Sequence, residues 1–174
     1  GEQLRGLGIP VVQDMPGVGQ NLRDHPKVYI TWDLKDGYPT EERPARNGAV
    51  LRFTALGSEW RNDVSINMGA FVTERLPWSD IQELAQGGNR SARRRIEMMV
   101  ALLFPLGSGE LRLTSRDPHI QPLLDYNYLA DPGDRQRLRA GMRQSLDLAE
   151  HGDLKEIIGP RLNPTDADLA SDAA

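Results

Sequence analysis

The sequence has no cysteine, which excludes disulfides, thiol catalysis and thiolate-bound metals and fits a cytoplasmic location. Histidine is scarce as well. His25, His119 and His151 are scattered, with no pair four residues apart and no acidic partner at a metal-like spacing, so a metal site has little support. No apolar run approaches the ~20 residues that a membrane helix requires. Charge of neither sign dominates: 21 basic against 25 acidic residues leave a net charge of -4, which gives no electrostatic reason to seek nucleic acid or an anionic membrane. The basic cluster Arg90, Arg93, Arg94 and Arg95 has no interleaved aromatics and lies beside Gly87-Gly88, the pattern of a solvated loop and helix start.

What is present describes one ordinary domain. A compact chain of 174 residues buries roughly 70% of the surface it exposes when unfolded, so a real core is available. Gly1 stands where an initiator Met is expected, and Glu2 to Leu7 reads as the last turns of a helix stopped by Gly8, with Pro10 just beyond. At the other end Thr165 and Asp168 have the spacing of a helix N-cap pair, yet Ala174 follows after about two turns. Both ends predict a piece of a longer protein.

Between them, Val11-Val12 predicts a very short strand, and the Pro- and Gly-dense run from Asp14 to Pro26 a shaped turn. Lys27 to Leu34 alternates as a half-buried strand does, with Val28, Ile30, Trp32 and Leu34 on one face. Lys35 to Gly48 reads as a surface loop. Ala49 to Thr54 and Asp63 to Phe71 are the next strands, the second dividing Val64, Ile66, Met68 and Ala70 from Ser65, Asn67, Gly69 and Phe71. Ser79 and Gln82 mark a short helix ending at Gly87-Gly88. The apolar run Ile96 to Phe104 predicts a strand, and Gly107-Ser108-Gly109 turns it back into Glu110 to Thr114 as an antiparallel hairpin. The stretch from Leu113 to Asp134, bounded by prolines, then leads to the best-marked helix. Asp131 is its N-cap, Pro132 its first residue and Asp134 a first-turn acid; Leu138, Met142, Leu146 and Ala149 form the apolar stripe while Arg135, Arg137, Arg139 and Arg143 face elsewhere. Asp153 to Ile158 is a last short helix before Gly159-Pro160. Strands joined by loops with few helices between them predict an α+β fold built on an antiparallel sheet with flanking helices.

Chemistry is harder to find. No catalytic triad can be assembled from local motifs. Gly17-Val18-Gly19 is shaped like part of a dinucleotide-binding loop but has Leu22 in place of the third glycine and does not join a long strand to a helix, so it is no phosphate cradle. Asp24-His25-Pro26 reads as a turn in which Asp24 caps backbone and His25 packs at an interface. Composition and spacing alone stop at a soluble α+β domain.

Two blocks carry a family resemblance. The run Gly8-Ile9-Pro10-Val11-Val12, continued by Met15-Pro16-Gly17-Val18-Gly19-Gln20-Asn21-Leu22-Arg23-Asp24-His25-Pro26, resembles the segment of glucose-methanol-choline (GMC) flavin oxidoreductases that leaves the flavin domain and enters the substrate domain. The second block, Gly109, Leu111-Arg112-Leu113-Thr114-Ser115, Asp117-Pro118, Pro122, Asp125, Asn127-Tyr128-Leu129 and Asp131, resembles the same family's substrate-domain block in the same order. The nearest members in flavour are choline-dehydrogenase-like and aryl-alcohol-oxidising. Gly107 departs from the family's usual Ser, and Met15 from its common Leu.

The resemblance implies a two-domain enzyme with an FAD-binding domain and a six-stranded antiparallel substrate domain, oxidising an alcohol to a carbonyl with hydride passing to the flavin. It divides this chain into an exit from the FAD domain at 1–26, the substrate domain at 27–164 and the start of a truncated helix at 165–174. The family's glycine-rich FAD loop is absent and none of the three histidines matches its catalytic motif, so no catalytic residue is carried over and FAD is not expected to be held by this piece alone. The partners implied are the missing flavin-domain segments and a small alcohol. Asn21, Asp24 and His25 are expected at the cofactor side of the junction, and Asn67, Phe71 and Phe104 on the substrate side. A non-catalytic binding module that keeps the fold, or one chain of a split flavoenzyme, would share these features.

Overall fold

The computed structural model describes residues 1–35, 37, 49–73 and 94–170. The loop expected from Lys35 to Gly48, apart from Lys35 itself and Gly37, the short helix expected from Ser79, and Arg90 and Arg93 lie outside the described residues. After α1 (Glu2–Gly6), the chain forms β1 (Gln20–Leu22), β2 (Lys27–Leu34), β3 (Ala49–Phe53), β4 (Val64–Thr73), β5 (Arg94–Leu102), β6 (Gly109–Arg112) and β7 (Leu123–Asp125). There follow α2 (Pro132–Ala149), α3 (Gly152–Ile157), β8 (Ile158–Asn163) and α4 (Asp166–Leu169). Among the described residues every strand pairing is antiparallel, in a five-stranded sheet of order β3-β4-β5-β2-β8 and a three-stranded sheet of order β1-β6-β7.

The larger sheet follows from period-two alternation. Register places Val28, Ile30 and Trp32 of β2 beside Val100, Met98 and Ile96 of β5, and Val64, Ile66 and Met68 of β4 beside Leu102, Val100 and Met98. This one face is the core, with Ile30, Val64, Ile96, Val100 and Leu102 fully buried. Each such side chain contributes about 1.5–3 kcal/mol by leaving water. Helix α2 covers it: an added Cβ on Gly141 would stand 2.4 Å from Val100 Cγ1 and 2.8 Å from Val64 Cγ1, so a residue without a side chain lets helix backbone lie on the two central strands. The other face carries Tyr29, Asn67 and Met99 in a single cross-strand row, all half-buried.

Helix α2 starts as its sequence dictates, the Asp131 carboxylate accepting from Gly133 N–H at 2.7 Å with Pro132 following. Its buried positions, however, are Asp134, Arg137, Leu138, Gly141, Ser145 and Ala149. The expected stripe is thus corrected. Met142 and Leu146 are only half-buried, and Arg137, expected to face elsewhere, is inside, because the short side chains of Gly141 and Ser145 bring the helix axis close to the sheet.

Three other expectations fail. Val11-Val12 forms no strand, while Gln20–Leu22 inside the supposed turn does. Strands β5 and β6 are not a hairpin: β5 lies between β4 and β2, and β6 between β1 and β7. The chain leaves the large sheet at Phe104-Pro105 because Asp134 captures the backbone N–H groups of Leu106 at 2.8 Å and Gly107 at 2.9 Å. Finally, Ile158–Asn163, read only as a helix end followed by Gly159-Pro160, is the edge strand β8, a place where proline's missing N–H does no harm.

The small sheet joins the two sequence blocks. Gln20 pairs with Glu110, Leu22 with Gly109 and Glu110 with Asp125, and Leu111 N–H donates to Gly19 O at 2.7 Å. Gly19 has φ +81°, and a Cβ there would lie 2.5 Å from Leu111 O, so its glycine is required by both backbone and neighbour. Towards the C-terminal end, Thr165 and Asp168 form a reciprocal capping box that starts α4.

Gly141→Ala tests the close approach of α2 to the sheet. Ala gains about 1 kcal/mol in helix propensity over Gly, but overpacking costs typically about 1–3 kcal/mol and here meets two β-branched side chains. A net fall in unfolding midpoint is expected in thermal or urea denaturation, with part of it recovered when Val100→Ala is added. A rise in midpoint for Gly141→Ala alone would contradict the packing.

Candidate functional site

A cavity of about 660 Å³ opens where β2 begins and β5 ends. Asp24 and His25 line it from the segment entering β2, Trp60 from the turn before β4, and Leu103, Phe104 and Pro105 from the segment leaving β5. Trp60 and Phe104 meet edge to face, with ring centroids 6.3 Å apart at 81°. The cavity therefore has an aromatic corner, with Arg23, Arg61 and Glu59 as further lining.

The Asp24 carboxylate links both sequence blocks. It accepts from His25 N–H at 2.7 Å and from Tyr128 Oη–H at 3.2 Å, and Tyr128 stacks on Tyr126 at 4.9 Å between ring centroids. The His25 backbone bond, with the Tyr128 hydroxyl adding to it, outweighs desolvation and holds the Asp24 carboxyl below its usual value. Burial and the Asp24 charge push the Tyr128 hydroxyl up in turn. The His25 ring is held by Nδ1, 3.2 Å from Leu102 O.

Behind the cavity wall lies a buried cation. Arg137 has a side chain only 6% exposed, with Nη1 3.1 Å from Asp63 Oδ2 and Nη2 2.6 Å from Asp134 Oδ1. The same Nη2 donates to Phe104 O at 2.9 Å, and the guanidinium carbon sits 5.3 Å from the centroid of the Trp60 ring. One residue thus touches both aromatic walls, one by its backbone carbonyl and the other by a cation–π contact. Asp63, fully buried, also accepts from Ala55 N–H at 3.0 Å and Ser58 Oγ at 2.6 Å. Burial pushes its carboxyl up, but the bonds from Ser58, Ala55 and Arg137 more than offset this and leave it below its ordinary value.

The residues singled out from sequence do not all gather. Asp24, His25 and Phe104 share the cavity, Phe104 half exposed beyond the end of β5 rather than on a strand. Asn21 is exposed on β1 with φ 59° and does not line it. Asn67 lies half-buried on the face of the sheet opposite α2, bonded to Ser65 Oγ at 3.3 Å. Phe71 is on β4, but its side chain lies outside the described residues. Sequence reasoning missed Trp60, Asp63 and Arg137. The spacing of Asp134 and Arg137, three apart on a helix, was the available signal, since such pairs face each other. Among the described residues no group of three or more His, Asp or Glu side chains could hold a metal ion, and no helix is long and apolar enough to cross a membrane.

A family model described as GMC oxidoreductase matches residues 105–174, which include β6, β7 and α2. An oxygen-dependent choline dehydrogenase of Paraburkholderia xenovorans is 33% identical over 97% of this chain, and that of Burkholderia pseudomallei (strain K96243) is 35% identical over 99%. The chain belongs to the GMC oxidoreductase family. It spans about a third of those relatives, 32% of each. Two solved structures share the fold of this GMC segment. Formate oxidase superposes with a TM-score of 0.76 at 20% identity, covering 99% of this chain and 37% of that one; pyridoxine 4-oxidase from Mesorbium loti does so at 0.70 and 18%, covering 94% and 31%.

Asp63 sets an acid limit. A carboxyl whose folded value is depressed contributes stability above its unfolded value of about 3.9, and loses that contribution as pH falls through the lower folded one. The melting temperature should therefore drop on acidification below about pH 4, and Asp63→Asn should flatten that part of the profile while lowering stability at neutral pH by about 3–5 kcal/mol, the usual cost of breaking a buried pair. An unchanged acid limb in Asp63→Asn would place the titration elsewhere.

Proposed function

We propose that this chain is the substrate-domain portion of an FAD-dependent GMC oxidoreductase that oxidises an alcohol CH–OH to a carbonyl. The observation that carries the reading is the small sheet. The block resembling the exit from the flavin domain and the block resembling the substrate-domain signature are far apart in sequence, and they pair residue by residue through Gln20, Leu22, Gly109 and Glu110. The similarity to choline dehydrogenases over nearly the whole chain supports it.

The described residues suit only part of such a cofactor. Gly17-Val18-Gly19 is no phosphate cradle here, because the Val18 and Gln20 N–H groups donate to Met15 O at 3.2 Å and Gly17 O at 3.1 Å, and the turn feeds a short strand rather than a helix. The phosphates would be held by segments outside this chain. An aromatic corner beside His25 does suit a flat ring. When bound, the flavin would supply the hydride acceptor, and the chain's own residues would shape the space around it. In this reading Asn21, Asp24 and His25 stand on the cofactor side of the junction. Asn67, Phe71 and Phe104 stand on the substrate side, Asn67 within the half-buried row formed with Tyr29 and Met99.

The test uses the full-length protein. It should purify with FAD and reduce that flavin anaerobically with a primary alcohol, seen as bleaching of the flavin absorbance. Asn67→Ala should raise KM for that alcohol by about tenfold, the loss of one hydrogen bond worth about 1.4 kcal/mol, with FAD content unchanged. A full-length protein that carries no flavin would sink the reading in favour of a binding module. An Asn67 variant of unaltered KM would remove that residue from the pocket.

A further inference from the structure

Among the described residues the imidazole of His25 is used at one nitrogen only. Leu102 O can only accept, so the Nδ1 that lies 3.2 Å from it is the nitrogen that carries the proton. In the neutral ring Nε2 is then an acceptor with a free lone pair, and it has no partner among the described residues. The residue that carries the ring is tethered. Its backbone N–H is tied to Asp24 at 2.7 Å, Asp24 is tied to Tyr128 at 3.2 Å, and Pro26 follows as the buried residue that enters β2.

The surroundings narrow what this acceptor meets. His25 lines the 660 Å³ cavity together with Trp60 and Phe104, whose 81° edge-to-face arrangement leaves a corner for a planar group. Arg137 braces that corner, holding Phe104 O at 2.9 Å and lying 5.3 Å from the Trp60 centroid, with its own position fixed by Asp63 and Asp134. A metal is a poor fit, because no cluster of three His, Asp or Glu side chains accompanies the imidazole among the described residues.

We propose that His25 Nε2 is a dedicated hydrogen-bond acceptor for a planar, largely apolar ligand that packs in the Trp60–Phe104 corner and points one O–H or N–H group at the imidazole. The proposal rests on the flavoenzyme reading only for the source of that donor, which is either the hydroxyl of a ring-bearing alcohol or the imide N–H at the edge of the flavin ring. The Asp24 carboxylate, occupied by the His25 N–H and the Tyr128 hydroxyl, serves only to position the residue; the discriminating atom is Nε2.

Two substitutions separate the two ring nitrogens. His25→Asn keeps an N–H near the place of Nδ1 for Leu102 O and removes the acceptor, whereas His25→Gln keeps a polar atom near the place of Nε2 and gives up the Leu102 contact. In the full-length protein, calorimetric titration with phenol and with anisole compares the same ring with and without its donor. If the donor comes from a bound alcohol, wild type binds phenol about tenfold more tightly than anisole, His25→Asn loses that preference at an unchanged melting temperature, and His25→Gln keeps part of it. If the donor is the flavin's, phenol has no advantage and His25→Asn instead purifies with less FAD, while His25→Gln retains it. The proposal is overturned if His25→Asn changes neither the phenol preference nor the FAD content, or if both variants lose binding together with an equal fall in melting temperature, which would make the ring purely structural. Should the protein carry no flavin and oxidise no alcohol, the flavoenzyme reading fails alone, and the phenol and anisole titrations still decide the role of Nε2.

Discussion

The structure depends on one desolvated cation. Arg137 projects from α2 through the end of the sheet and is satisfied there by Asp63 just before β4, by Asp134 one turn earlier on its own helix, and by the carbonyl of Phe104 just after β5. Three segments that are remote in sequence are thereby fixed to one point. Continuum reasoning makes such a triad a weak source of net stability, because the cost of removing three charges from water is comparable with their mutual attraction. Its effect is geometric. A hydrophobic replacement could fill the volume, but it could not specify where the Trp60 ring and the Phe104 carbonyl must stand, and those groups define the cavity.

Asp134 shows how this constraint extends. The same carboxylate that receives Arg137 also receives the N–H groups of Leu106 and Gly107, so the exit of the chain from β5 is set by the first turn of α2. This capture diverts the Gly107-Ser108-Gly109 segment, which has every local mark of a hairpin turn, into a crossing to the second sheet. The competition is simple: turn propensity is worth a few tenths to one kcal/mol, whereas bonds to a buried carboxylate are charge-assisted and about twice as strong as neutral ones.

Local pattern made much of the fold legible. The alternation in Lys27–Leu34 marks β2 to the residue, the Asp131-Pro132 pair marks the start of α2, and Thr165 with Asp168 marks the capping box of α4. What escaped was non-local. Strand β1 lies inside a run of Pro and Gly because its partner β6 supplies the hydrogen bonds, and β8 contains a proline that an edge position tolerates. Arg137 was hidden by the ordinary rule that arginines on a helix face water, a rule that fails only when two acids wait inside. The cavity was half visible: Asp24 and His25 stood out as a motif, while Trp60 and Asp63 lie in a loop whose importance comes from what it touches.

The placement of β8 bears on how this domain comes into being. Strand β2 has β5 on one side and β8 on the other, and Asn163 Nδ2 reaches the Tyr29 carbonyl across a separation of 134 positions. During synthesis β2 emerges well before β8, so one of its edges has no partner until the intervening chain has followed. For that interval it is an unsatisfied ladder of amides flanked by apolar side chains, the kind of edge that recruits other chains. Closure of the sheet is a high-contact-order event, and until it occurs the unpaired edge of β2 is open to aggregation.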